Sequence, residues 1–203
     1  MDTVLILLIV AAAWQLLRVR YQRSHVVLLG QHLANLQLER HMETLTQGYT
    51  RAISEETETR QLQVLETFAQ TERAVTLQVQ SLANAMQKEG QQAASMGVLR
   101  FCVPYIELFL PVLTRDFRKL LHIHAVGLRH VVDNEGGWGA KDRAYHLSAE
   151  LYLLQHSCHW FCRSRAMADA RLALRHQVQH QKVLESVSSV TRDAYQQWLQ
   201  GAA

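Results

Sequence analysis

The sequence predicts an all-α protein in three parts: a single N-terminal transmembrane helix, a long amphipathic or coiled-coil helix, and a C-terminal helical hairpin or small bundle. Three observations carry this. Helix formers (Ala, Leu, Gln, Glu and Arg) dominate a chain of 203 residues that holds only 2 Pro and 9 Gly. No segment alternates apolar and polar residues between turn signals, so no strand is expected. The chain also begins with an uncharged apolar run, Val4 to Ala13, free of Gly and Pro.

That run, with Val4, Leu5, Ile6, Leu7, Leu8, Ile9, Val10, Trp14, Leu16 and Leu17, reads as a membrane anchor over residues 1–23. Thr3 to Leu17 alone spans about 22 Å, short of the roughly 30 Å of bilayer hydrocarbon. Counting from Met1 to Tyr21 brings the helix to about 31 Å, because arginine stems lie along apolar surface while their heads reach the phosphates. Trp14 and Tyr21 suit the headgroup level. Asp2 is the only ionisable side chain before the run, whereas Arg18, Arg20 and Arg23 follow it. The positive-inside rule therefore places the N-terminus outside and the rest on the cytoplasmic side of the cell inner membrane. A cleaved signal peptide would carry its basic residues before the run. A surface-lying helix would need a polar face. Ala11 to Ala13 nevertheless resemble a cleavage site, so a signal peptide stays as one alternative, and a buried core helix is the other, since apolar runs of about 10–14 residues commonly are that.

Residues 24–90 read as one helix, since from Ser24 to Glu89 only Gly30 and Gly48 are helix-weakening. Leu38, Met42, Leu45, Tyr49 and Ala52 recur at steps of four and three. After a phase shift, Leu65, Phe68, Glu72, Val75, Val79, Leu82 and Met86 do the same. Such a heptad seam is expected to pair with a second copy or with the C-terminal helices, because helix stability comes mainly from packing an apolar face. Its single charge, Glu72, is left unexplained by the pattern.

Residues 91–97 form a linker, opened by Gly90 as a helix cap. Residues 98–203 make the C-terminal helical module. Val98 to Leu113 carries only Arg100 and Glu107 as charges and is interrupted by Pro104 and Pro111. It reads as a buried core segment in preference to an interfacial, re-entrant or spanning membrane contact, with Pro111 opening the next helix. That helix is expected to run to about Val132, with Leu113, Phe117, Leu120, His124 and Val131 on one face. Asp133 to Gly139 marks an exposed turn, and Asp142 suits an N-cap. Beyond it, Leu147, Leu151, Leu154, Cys158 and Phe161 form one seam and Val183, Val187, Val190, Ala194 and Trp198 another. A break at Arg163-Ser164-Arg165 is one option, a single helix of roughly 85 Å the other.

The charge is divided along the chain. Residues 1–23 hold three Arg against one Asp, residues 24–97 five basic against eight acidic side chains, and residues 98–203 thirteen against nine. This imbalance is too mild to predict nucleic-acid binding. Arg163, Arg165, Arg171 and Arg175 form a basic patch suited to anionic headgroups or an acidic partner, or to a solvated face paired with Asp169 and Glu185. Three cysteines, Cys102, Cys158 and Cys162, fit a reducing compartment.

Eleven histidines are the unusual feature of the composition. His176 and His180, four apart on one expected helix, could chelate a borderline cation, with His156, His159 and Cys162 nearby. No Cys-x-x-Cys, His-Glu-x-x-His, haem-attachment, phosphate-loop or nucleophile-elbow motif is present. No metal, cofactor or enzymatic activity is therefore expected. The expectation is a membrane-anchored scaffold or adaptor that contacts lipid, self-associates through its stalk and docks a protein partner, with a metal- or haem-binding helical protein as the alternative.

Overall fold

A computed structural model describes residues 2–201. Its ten helices, in order, are α1 (Asp2–Leu33), α2 (Leu38–Ile53), α3 (Glu58–Glu66), α4 (Ala69–Met86), α5 (Ile106–Phe109), α6 (Phe117–Val132), α7 (Ala140–Cys162), α8 (Arg165–His176), α9 (His180–Ser186) and α10 (Ser189–Gln200). The all-α class holds. Two three-residue strands, β1 (Ser95–Gly97) and β2 (Thr114–Asp116), pair antiparallel, with Met96 opposite Arg115. They were too short for an alternation pattern to reveal.

Residues 24–90 are not one helix. Breaks at 34–37, at 54–57 and near Thr67 divide the stretch into the end of α1 and then α2, α3 and α4. No Gly or Pro marks these breaks. Polar side chains hold them instead: Ser54 Oγ donates to the Arg51 carbonyl, and Gln61 Nε2 donates to the Glu55 carbonyl at 2.8 Å. The expected self-association seam lies inside the chain. Leu65, Val75, Val79, Leu82 and Met86 are buried in the same core as Phe117, Leu120, Leu128, Leu151 and Trp198. Phe68 packs on Tyr49 edge-to-face with ring centroids 5.7 Å apart. With α6 lying along α4, this seam offers no free face to a second copy.

Glu72, the charge in the seam, is 3% exposed, accepts from the Tyr49 hydroxyl, and pairs with Arg143 of α7 at 2.7 Å. One buried carboxylate thus ties α2, α4 and α7 together, and its desolvation is offset by two charge-assisted bonds.

The second half is more broken than its composition suggests. Pro111 opens a short 3-10 turn, and α6 starts at Phe117, capped by Asp116, which accepts from the Arg118 amide at 2.9 Å. Gly139, not Asp142, is the N-cap of α7. Asp142 falls in the first turn, where a carboxylate also favours the helix dipole. After α7 the chain does break at Arg163-Ser164, with Ser164 capping α8. It breaks again at Gln177, which adopts φ 54°, and at Val187-Ser188. The buried Glu150 carboxylate accepts from both the amide and the hydroxyl of Ser188, the cap of α10. Gly127 of α6 lets this cap approach: a Cβ there would collide with Thr191.

Candidate functional site

α1 has two halves of opposite character. No buried side chain precedes Tyr21, and the most apolar 18-residue window of the helix is wholly outside the core, so the helix is long and apolar enough to cross a membrane. The buried-core alternative fails on this point. The second half docks through Tyr21, Gln22, His25 and Leu29, which share one face at helical spacing. Tyr21 donates to Glu107 at 3.0 Å and meets Tyr105 edge-to-face at 5.1 Å. Gln22 Nε2 donates to the Arg163 carbonyl at 3.1 Å, and Arg163 Nη1 returns a bond to Gln22 Oε1 at 3.3 Å. His25 Nδ1 donates to the Phe161 carbonyl at 3.0 Å while its ring stacks on Phe161 at 4.4 Å. Burial holds His25 below the usual imidazole range, so it docks as a neutral ring. A His-25 role was invisible to pattern reading, because only its partner on α7 gives it one.

Around the point where α1 leaves the domain lie Arg18, half-buried, and Arg20 and Arg23, exposed. The C-terminal basic patch is divided among different tasks. Arg163 joins Gln22, and Arg165 lies over the Trp160 ring at 5.3 Å. Arg171 and Arg175 line one open groove with Arg18 and Arg163. The expected pairing with Asp169 and Glu185 is replaced. Asp169 takes His156, Glu185 takes Gln181, and Arg175 reaches Glu39 and Glu43, each at 3.9 Å.

The helix break at Gln177 also separates the pair considered as an alternative metal site, since His176 ends α8 and His180 starts α9. His176 Nε2 bonds Gln155 Oε1 at 2.7 Å, His180 Nε2 bonds the Tyr195 hydroxyl at 3.2 Å, and His156 Nε2 bonds Asp169 at 2.8 Å. His159 borders one small cavity with His156 and another with His176, and Cys162 is half-buried at the end of α7, yet among the described residues no three His, Cys, Asp or Glu side chains converge as ligands. Burial, with His156 nearby, pushes His180 down to about 4, and burial first, then His156, brings His124 down to about 3. His124 bonds Ser157 at 2.9 Å, but both side chains are fully buried, out of reach of a substrate.

A cavity of about 240 Å³ opens between the α1–α2 connection and α7, lined by Leu33, Leu36, Met42, Tyr152 and Cys158, with Arg175 at its rim. It is apolar, of a size for a few side chains. The surface thus carries a protruding apolar helix, arginines where that helix leaves the domain, and a small cleft lined mainly by apolar side chains. No protein-family model, curated protein or solved structure matches this chain.

Proposed function

We propose that the protein is a single-pass adaptor of the cell inner membrane, with its N-terminus outside and its helical domain docking a protein partner at the cytoplasmic face. The observation that carries this reading is the continuity of α1, whose exposed apolar half runs without a break into a half clasped by the domain. Arg18, Arg20 and Arg23 after the apolar run, against Asp2 before it, support the orientation. Three free cysteines agree with a reducing compartment. The reading has no need of the α4 seam, and self-association through that seam is not part of it.

The test is fractionation of cells producing the full chain, followed by protease treatment of spheroplasts and of inverted vesicles. The chain should stay with the membrane through alkaline carbonate, and its domain should be cut only in inverted vesicles. A carbonate-soluble chain, a processed N-terminus or cutting in spheroplasts would overturn the reading. For the adaptor role, a protein crosslinked to the domain in membranes should be lost on Met42→Glu while the anchor remains inserted.

A further inference from the structure

The segment 98–113 is apolar yet largely uncovered. Phe101 is 75% exposed, Phe109 77% and Val112 74%, with Leu108 and Leu110 also open. Ile106 and Pro104 are buried, and Val98 packs partly against the core. The expectation of a core segment fails here because the stretch is a loop closed by β1 and β2, with one short helix, and it points out of the bundle.

Its direction is fixed by its contacts with α1. Glu89, just before the hairpin, bonds His32 near the far end of α1 at 2.8 Å. Phe101 and Cys102, inside the hairpin, border one small cavity with Tyr21 and His25, and Tyr105 meets the Tyr21 ring at 5.1 Å. Between those contacts the chain has travelled about 16 Å back along α1, toward its exposed apolar half. The tip therefore lies at the level where α1 leaves the domain. Two tryptophans brace the base, with Trp160 Nε1 donating to the Gly97 carbonyl and Trp198 Nε1 to the Asp116 carbonyl, each at 2.9 Å. The hairpin's one acidic side chain, Glu107, is taken up by Tyr21. The charges left at that end, Arg20, Arg100 and Arg163, are exposed and basic.

From this juxtaposition of an apolar tip, exposed arginines and the exit of α1, we infer that hairpin 98–113 is a second membrane contact: Phe101, Phe109 and their apolar neighbours enter the headgroup–acyl boundary of the anionic leaflet that α1 crosses. The inference rests on the anchored reading above. Aromatic and aliphatic side chains seated beside cationic ones are what an interfacial contact requires. The occupant is lipid, since the hairpin starts beside the helix that brings the bilayer to it.

The test uses the full chain reconstituted in phosphatidylethanolamine–phosphatidylglycerol vesicles, with a photoreactive benzophenone side chain replacing Trp14, Phe101, Phe109 or Tyr145 in turn. Tyr145 is exposed near the start of α7, far from the tip. Lipid adducts at 14, 101 and 109, and a loss of adduct at 145, are expected. Adduct at 14 but at neither 101 nor 109 overturns the hairpin contact and leaves the anchor standing. No adduct at 14 overturns the anchor itself. Labelling at 145 equal to that at 109, or crosslinks from 101 and 109 to protein instead of lipid, also overturns the inference. Circular dichroism of each variant establishes that it is folded, and two hairpin positions guard against one failing.

Discussion

The first half of α1 and the inner face of α4 carry similar aliphatic side chains and end in opposite surroundings. In α4 they recur as Val75, Val79, Leu82 and Met86, one stripe on an otherwise polar helix, and all four are buried. In α1 they run consecutively from Val4 to Val10 and surround the axis, and all seven are exposed. A stripe can be satisfied by one neighbour; a helix apolar on every side needs an apolar medium. The distribution around the helix axis, more than its greasiness, separates what packs from what protrudes.

The comparison can be broken most severely at the one charge in the α4 stripe. Arg143→Met leaves the Glu72 carboxylate buried without its cation and should cost about 3–5 kcal/mol in denaturant unfolding of the detergent-solubilised chain. A loss under about 1 kcal/mol would mean that Glu72 is solvated.

Next comes a matched pair of leucines. Leu82→Ala should destabilise the domain by about 2–5 kcal/mol, through lost transfer energy and the cavity left behind. Leu8→Asp should leave domain stability within about 0.5 kcal/mol. It should instead raise the insertion free energy of the helix by about 3 kcal/mol, read by glycosylation-site or carbonate-extraction assays. Equal effects of the two on unfolding would erase the distinction.

The buried polar side of the core gives a pH signature. Burial pushes the Glu150 carboxyl up to about 7 from an ordinary value near 4.5. The folded state therefore holds a proton that the unfolded chain releases. The stability from this group is full below 4.5 and is lost as pH rises through about 7. Glu150→Gln should flatten that decline and raise stability at pH 8 by on the order of 3 kcal/mol, measured as the difference from wild type across pH. The buried histidines act in the opposite sense. Those with lowered values, such as His180 at about 4, stabilise above 6.5 and lose that contribution as pH falls through the folded value. Smallest is Ser164→Ala, which removes the cap of α8 and should cost about 1 kcal/mol.

Helix content, the protruding N-terminal run, the turn at 133–139 and the break at Arg163-Ser164 were legible in the sequence because each has a local cause. Charge arrives abruptly after Leu17, glycines cluster at 136, 137 and 139, and Ser164 can cap. The breaks at 34–37 and 54–57 were not legible, since no Gly or Pro marks them and tertiary packing overrides good helix formers. Direction was equally hidden for 98–113. Its composition matches a core segment, and only the β1–β2 pairing turns it outward. The docking set Tyr21, Gln22 and His25 left a faint trace, an i, i+4 aromatic pair on either side of Arg23. Its partners, Glu107, Phe161 and Arg163, lie 86 to 141 residues away, beyond any local pattern.

Because α1 is unbroken from Asp2 to Leu33, the domain is mounted as if on a mast about 48 Å tall. There is no swivel at deck level. With α1 across a bilayer as proposed, any lean of the helix in the lipid swings the whole bundle with it, and any pull on the bundle levers the helix. A partner held in the same bilayer would then meet the bundle at a fixed height.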